Sequence, residues 1–157
     1  MPNKWTFTII PIRNLLSQEL TSGLWIDPFA GEHSPATITN DLNPKRPTNY
    51  HMDALMFLKQ FDDNSVDGVL YDPPYSSRQV KECYENIGQH GFDGRSNFWS
   101  DNKNEIARII KPGGKVVCFG WNSMGCGIAR GFIMKRILLV PHGGSRNDTI
   151  CTVEIKQ

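Results

Sequence analysis

The chain has 157 residues and a mass of 17.8 kDa, of which 39% are apolar, 21% charged and 10% aromatic. That balance excludes a disordered tail, a collagen-like fibre and an acidic linker, and it suits one hydrophobic core of ordinary domain size. Seventeen basic against sixteen acidic side chains leave a formal net charge of +1, which at first sight argues against a nucleic-acid binder.

In chain order, Ile12, Leu15, Leu16 and Leu20 follow Pro11 at helical spacing and predict a helix over 11–20. Leu24-Trp25-Ile26 ends on Asp27 and reads as a short buried strand; residues 36–39 predict a second, ending at Asn40-Asp41. Residues 54–58 predict a helix, and Val66 to Tyr71 a third strand running into Asp72. Residues 76–96 are polar and glycine-containing, with no regular element assigned. Asn102 with Glu105 resembles a capping box for a helix over 102–110, stopped by Pro112-Gly113-Gly114. A strand over 115–119, a glycine-rich turn with a short helix over 125–131, and strands over 134–140 and 149–155 complete the chain. The brief turn at His142-Gly143-Gly144 makes the last two strands antiparallel neighbours, because a parallel connection needs a dozen or more residues. The expected fold class is α/β: one domain over 1–157, with a mostly parallel sheet and an antiparallel C-terminal strand.

Cys83, Cys118, Cys126 and Cys151 form no CxxC pair and stand at no metal-ligand spacing from a histidine, so they read as reduced thiols in a cytoplasmic protein. Cys118 and Cys151 lie in apolar runs as small core residues. No metal is expected, and His33, His51, His90 and His142 receive no role. No apolar run approaches the ~20 residues of a membrane span, and the N-terminus lacks a signal-peptide layout.

The segment Asp72-Pro73-Pro74-Tyr75 carries the most information. Two prolines suit a rigid turn, but this one leaves the carboxyl end of a buried strand, where ligand chemistry occurs in open α/β sheets. It presents a carboxylate, carbonyls without competing N–H donors, and an aromatic face. A planar base with an exocyclic amino group, taken out of its stack, needs those features.

These four residues resemble motif IV of the S-adenosylmethionine-dependent amino-methyltransferases of DNA, and the chain looks most similar to small stand-alone adenine methylases of phages and mobile elements. Asp27-Pro28-Phe29-Ala30-Gly31 resembles the family's cofactor-binding motif I. Asp41 stands where the family binds the cofactor's ribose. Asp53, followed by Ala54, resembles the position that receives the amino group of the cofactor adenine. The resemblance implies a Rossmann-like class I methyltransferase fold, S-adenosyl-L-methionine as cofactor, and methylation of adenine N6 in DNA. Asp72, Pro73, Pro74 and Tyr75 would be catalytic, and Asp27, Pro28, Phe29, Ala30, Gly31, Asp41, Asp53 and Ala54 would bind the cofactor. Arg78, Lys81 and Arg95 are candidates for phosphates, with Phe92, Phe98 and Trp99 as candidates to wedge or stack. Trp121 and Asn122 are candidate walls of a base pocket. Alternatives are an rRNA guanine amino-methyltransferase, a release-factor glutamine methyltransferase (disfavoured by Asp at position 72), or a degenerate fold that only binds nucleic acid or a partner subunit.

Two departures stand out. Asp27 and Asp41 are fourteen positions apart, which leaves about eight connecting residues and implies a shortened first crossover helix. Motifs I and IV are about 45 residues apart, with no room for a target-recognition region, so a homodimer or a partner subunit is expected to supply one. The charge is also uneven. Residues 1–77 hold five basic and nine acidic side chains, net −4; residues 78–157 hold twelve and seven, net +5. The second half is therefore the expected phosphate-facing half.

Overall fold

The computed structural model describes residues 5–88, 97–144 and 146–157. His90, Phe92 and Arg95 lie outside the described residues. The elements are α1 (Ile10–Glu19), β1 (Trp25–Asp27), β2 (Ile38–Thr39), α2 (Ala54–Leu58), β3 (Val66–Tyr71), α3 (Ser77–Glu85), α4 (Phe98–Ile109), β4 (Ile110–Gly120), β5 (Phe132–Val140) and β6 (Thr149–Lys156). The six strands form one sheet in the order β2-β1-β3-β4-β6-β5. The β2-β1-β3-β4 part is parallel, and β6 lies antiparallel between β4 and β5. The mostly parallel sheet and the antiparallel C-terminal strand are as the sequence predicts.

β3 is buried on both faces, as a central parallel strand must be. Val69 and Tyr71 pack with Ile106 and Ile109 of α4 on one side. Leu70 packs on the other side with Ile12, Leu15 and Leu16 of α1 and with Phe7 of a 3-10 turn, Thr6–Thr8. β4 continues the alternation, sending Val116 and Cys118 to the α4 side and Val117 and Phe119 to the α1 side.

From β1 the chain moves outward to β2, and from β3 it moves the other way to β4. The order therefore reverses between β1 and β3, and Asp27 and Asp72 leave the carboxyl edge at that switch point. The β1–β2 crossover contains no helix. The buried Asp27 carboxylate holds this loop, accepting from Phe29 N (2.9 Å) and Ser34 Oγ (2.6 Å). Asn40, fully buried, ties it to the next segment by donating to the Pro28 and Met52 carbonyls and accepting from Met52 N.

Four local expectations are corrected. The polar stretch after Tyr75 contains α3, capped by Ser76 Oγ, which accepts from Gln79 N. The Asn102–Glu105 pair caps nothing: α4 starts four residues earlier, at Phe98, because that ring is anchored against Val80 and Tyr84. Pro112-Gly113-Gly114 lies inside β4 and stops no helix; α4 ends at Ile109, and a register shift against Val66 and Gly68 absorbs the extra residues. The short helix expected at 125–131 is a single 3-10 turn, Ile128–Arg130. Among the described residues no helix is long and apolar enough to cross a membrane.

Candidate functional site

Two cavities open at the carboxyl edge, and the segment Asp72-Pro73-Pro74-Tyr75 is the wall between them. Its successive residues line opposite sides. Asp72 and Pro74 line a cavity of about 210 Å³. Pro73 and Tyr75 line a second one of about 110 Å³.

The larger cavity gathers residues that are far apart in the chain. Pro28, Phe29, Ala30 and Gly31 form one wall, Asp41 and Ala54 another. Gly31 adopts φ +59°, a left-handed conformation that glycine reaches without a Cβ penalty, and its N–H donates to Asp41 Oδ2 at 3.1 Å. Asp27 stays beneath the loop, shaping the wall without lining it. Asp53 does not line the cavity either. Its carboxylate caps α2 through Leu55 N and Met56 N and accepts from the Tyr84 hydroxyl.

The sequence reading missed the fourth wall, supplied by α3. Val80, Cys83, Tyr84 and Ile87 recur at i, i+3, i+4 and i+7, and all four line the cavity. That period was the available signal, masked by the polar residues around it. Arg46, which also lines the cavity, is ion-paired with Glu32. Arg78 (88% side-chain exposure) and Lys81 (60%) point to solvent from α3, paired with Glu82 and Glu85, and line neither cavity.

The charge state of the larger cavity follows from burial. Desolvation pushes the Asp27 carboxyl up to about 8 despite its hydrogen bonds to Ser34 and Phe29. It pushes Asp72 up to about 6, partly opposed by hydrogen bonds from Tyr75 and Thr6. Asp41 is raised too, again through burial. Asp41 and Asp72 thus line the cavity with a raised hold on their protons, and Asp27 lies buried beneath its loop.

The second cavity is aromatic. Tyr75, Trp99 and Trp121 line it together with Asn122, Phe119 and Lys103. The Tyr75 hydroxyl donates to Asp72 Oδ1 at 2.6 Å, and its ring stands edge-on to Trp121 with centroids 5.4 Å apart. Trp99 Nε1 donates to the Pro74 carbonyl at 2.8 Å, fixing the wall to α4. Phe98 lies on the other side, lining the larger cavity. The segment thus separates a cavity lined by carboxylates from one lined by aromatic rings.

No family model matches the chain. A type II methyltransferase, M.BamHI of Bacillus amyloliquefaciens, is 31% identical over 78 residues, covering 47% of this chain and 18% of that protein. The chain thus spans under a fifth of that relative's length. Among solved structures, TrmN from Thermus thermophilus superposes with a TM-score of 0.62 at 18% identity, over 92% of this chain and 48% of the other. A SAM-dependent methyltransferase from Archaeoglobus fulgidus gives 0.62 at 10% identity, over 94% and 92%. The fold is a Rossmann-like methyltransferase fold. A third such structure, the Burkholderia thailandensis 1,6-didemethyltoxoflavin-N1-methyltransferase with bound substrate and S-adenosylhomocysteine, gives 0.61 at 11% identity, over 92% of this chain and 76% of that one.

Proposed function

We propose that the chain is an S-adenosylmethionine-dependent methyltransferase that modifies an exocyclic amino group of a nucleic-acid base, adenine N6 in DNA foremost. The observation that carries this reading is the alternation of Asp72 and Pro74 into the acidic cavity with Pro73 and Tyr75 into the aromatic one. The residues of the larger cavity suit the cofactor, because three buried carboxylates with raised proton affinity favour a ligand bearing sulfonium and ammonium charges. The 31% identity over 78 residues with a type II methyltransferase supports the methyl-transfer part of this reading.

When bound, the cofactor supplies a methyl group already activated by its sulfonium. The chain then has little bond chemistry to promote and much positioning to do. Asp72, held by the Tyr75 hydroxyl, accepts from the target amino group and stabilises the positive charge that develops on its nitrogen. The Pro73 carbonyl is the second acceptor; the Pro74 carbonyl is already occupied by Trp99. Tyr75 and Trp121 grip the base by its faces or edge. Asp72 must be ionised to accept, so turnover is expected to rise through pH about 6. Homodimerisation or a partner subunit is proposed to supply target recognition.

The test incubates the chain with methyl-labelled S-adenosylmethionine and either duplex DNA or rRNA, followed by nucleoside analysis. Label in N6-methyladenine from DNA is the expected result. Label only in a guanine amino group of rRNA would move the substrate, and cofactor binding without transfer to either would leave a binding module.

A further inference from the structure

A cluster on the α4 face of the sheet borders the second cavity, which Tyr71 and Cys118 help to line, but has no role in the chemistry proposed above. Tyr71, Cys118 and Thr152 are register partners across β3, β4 and β6, so their side chains stand in one row on one face. Glu154, two residues beyond Thr152, faces the same way. Cys126 reaches this row from the loop after β4. Its Sγ is 4.0 Å from Cys118 Sγ, and the two sulfurs and a Glu154 carboxylate oxygen all lie within 4.8 Å of one another. All three residues are buried.

Two thiolates on one tetrahedral zinc-class ion, at metal–sulfur distances of about 2.3 Å, stand roughly 3.8 Å apart. A disulfide needs about 2.05 Å. The observed spacing, at which one thiol can donate to the other, therefore also suits a shared ion and does not suit a disulfide. The Glu154 carboxylate accepts from Cys126 N (2.6 Å) and Gly127 N (2.9 Å), yet among the described residues it forms no ion pair. Buried charges are ordinarily paired or bound to metal. An independent observation points the same way. The Thr152 hydroxyl, beside Cys118 in the row, is buried with no partner, and the Tyr71 hydroxyl and the Asn102 amide from α4 have none besides each other. Buried polar atoms this sparsely answered, beside two thiols and a carboxylate, point to an occupant.

We propose that Cys118, Cys126 and Glu154 form a buried binding site for one thiophilic divalent cation of the zinc class. The hydroxyls of the row complete its shell directly or through a water. Binding releases the two thiol protons. The ion joins β4, β6 and the loop over 121–127, and so braces the loop that carries Trp121 and Asn122. Gly125 already shows how tightly that loop fits, since a Cβ there would collide with the Glu154 carboxylate. The site does not depend on the methyl-transfer reading.

The test measures metal in the full chain purified without chelators or metal-affinity resins, and titrates the metal-free protein with cobalt(II). About one zinc per chain is expected, with a near-ultraviolet thiolate-to-cobalt absorption that zinc abolishes. Cys126→Ser should lose most of that absorption, and Cys83→Ser should keep it. Three results would each overturn the proposal: no metal and no cobalt band from folded protein, an undiminished band in Cys126→Ser, or a Cys118–Cys126 disulfide in the protein as isolated. Should Cys126→Ser fail to fold, the wild-type cobalt titration decides, read together with the shift of its melting temperature by zinc.

Discussion

The two cavities flanking Asp72-Pro73-Pro74-Tyr75 are close neighbours built on opposite principles. The larger one is lined by Asp41 and Asp72 and shaped from beneath by Asp27, carboxyls whose burial raises their hold on the proton. The smaller one offers the rings of Tyr75, Trp99 and Trp121 and an amide, with Lys103 at its edge. A site of the first kind selects by charge, and one of the second by shape and stacking. The wall between them lets four consecutive residues serve both, which explains how so short a segment can carry a reaction joining a charged donor to a flat acceptor.

The sharpest way to break this comparison is to remove the residue on which both sides depend. Asp72→Ala is expected to lower methyl transfer by about 10³-fold or more, since it deletes the acceptor aimed at developing charge. S-adenosylmethionine affinity, read by calorimetry, should change by less than about fivefold. Lost cofactor binding with normal residual turnover would place Asp72 in the wrong role. Next in size, Trp121→Ala removes a ring from the aromatic cavity alone. Stacking of ~1–3 kcal/mol per base translates into a rise in KM for DNA of about 5- to 100-fold. Its kcat and cofactor affinity should hold, and an equal loss of cofactor affinity would show that the two cavities are not separate in function.

Tyr75→Phe probes the joint between them. It keeps the ring but removes the hydroxyl that donates to Asp72 and holds its proton affinity down. Turnover should fall about tenfold, the scale of a hydrogen bond to a charged group. The acid limb of the pH–rate profile should move above its wild-type position near pH 6. A lower rate with an unmoved limb would mean that the hydroxyl positions the ring and leaves the carboxylate untouched.

The acidic cavity can also be tested without any substrate. Burial pushes the Asp27 and Asp72 carboxyls up to about 8 and about 6 in the folded chain, from an ordinary 3.8. The folded state therefore holds more protons than the unfolded state between roughly pH 4 and pH 8. The stability this confers is complete below pH 4 and is lost as pH rises through 6 and then 8. Thermal unfolding should show a midpoint that falls on the order of 5 °C or more from pH 5 to pH 8.5. S-adenosylmethionine should flatten the decline, and an uncharged adenosine analogue should not.

How much of this was legible beforehand follows the same division. The strands were legible because each carries its own signal: an apolar run, a terminal Asp, a turn. The antiparallel end was legible from a connection too short for a crossover. The loop replacing the first crossover helix was legible from the count between Asp27 and Asp41. α3 was missed because its one apolar face is diluted by Arg78, Lys81, Glu82 and Glu85, although Val80, Cys83, Tyr84 and Ile87 hold the helical period. The alternation of the Asp-Pro-Pro-Tyr segment was not legible at all, since nothing in four letters says that a cavity lies on each side. Nor was the approach of Glu154 to Cys118 and Cys126, because the β4–β6 register and the loop after β4 bring together residues 36 and 28 positions apart in the chain.

The smallest expected effect concerns the charge of the second half of the chain. Arg78 and Lys81 are the basic residues nearest the wall in sequence, yet both point to solvent, each paired with a glutamate one helical turn on. Such exposed pairs contribute little, ~0–1 kcal/mol, and a side chain that lines neither cavity can reach a nucleic acid only through its phosphates. Arg78→Ala should therefore weaken DNA binding less than about threefold at low salt. It should lower the slope of log affinity against log salt by about one if a phosphate contact is lost. The difference should vanish near 0.3 M salt, where the screening length is under ~8 Å. A large loss that persists at high salt would mean that α3 reads the base directly, and the aromatic cavity would then share its role with a helix on the acidic side of the wall.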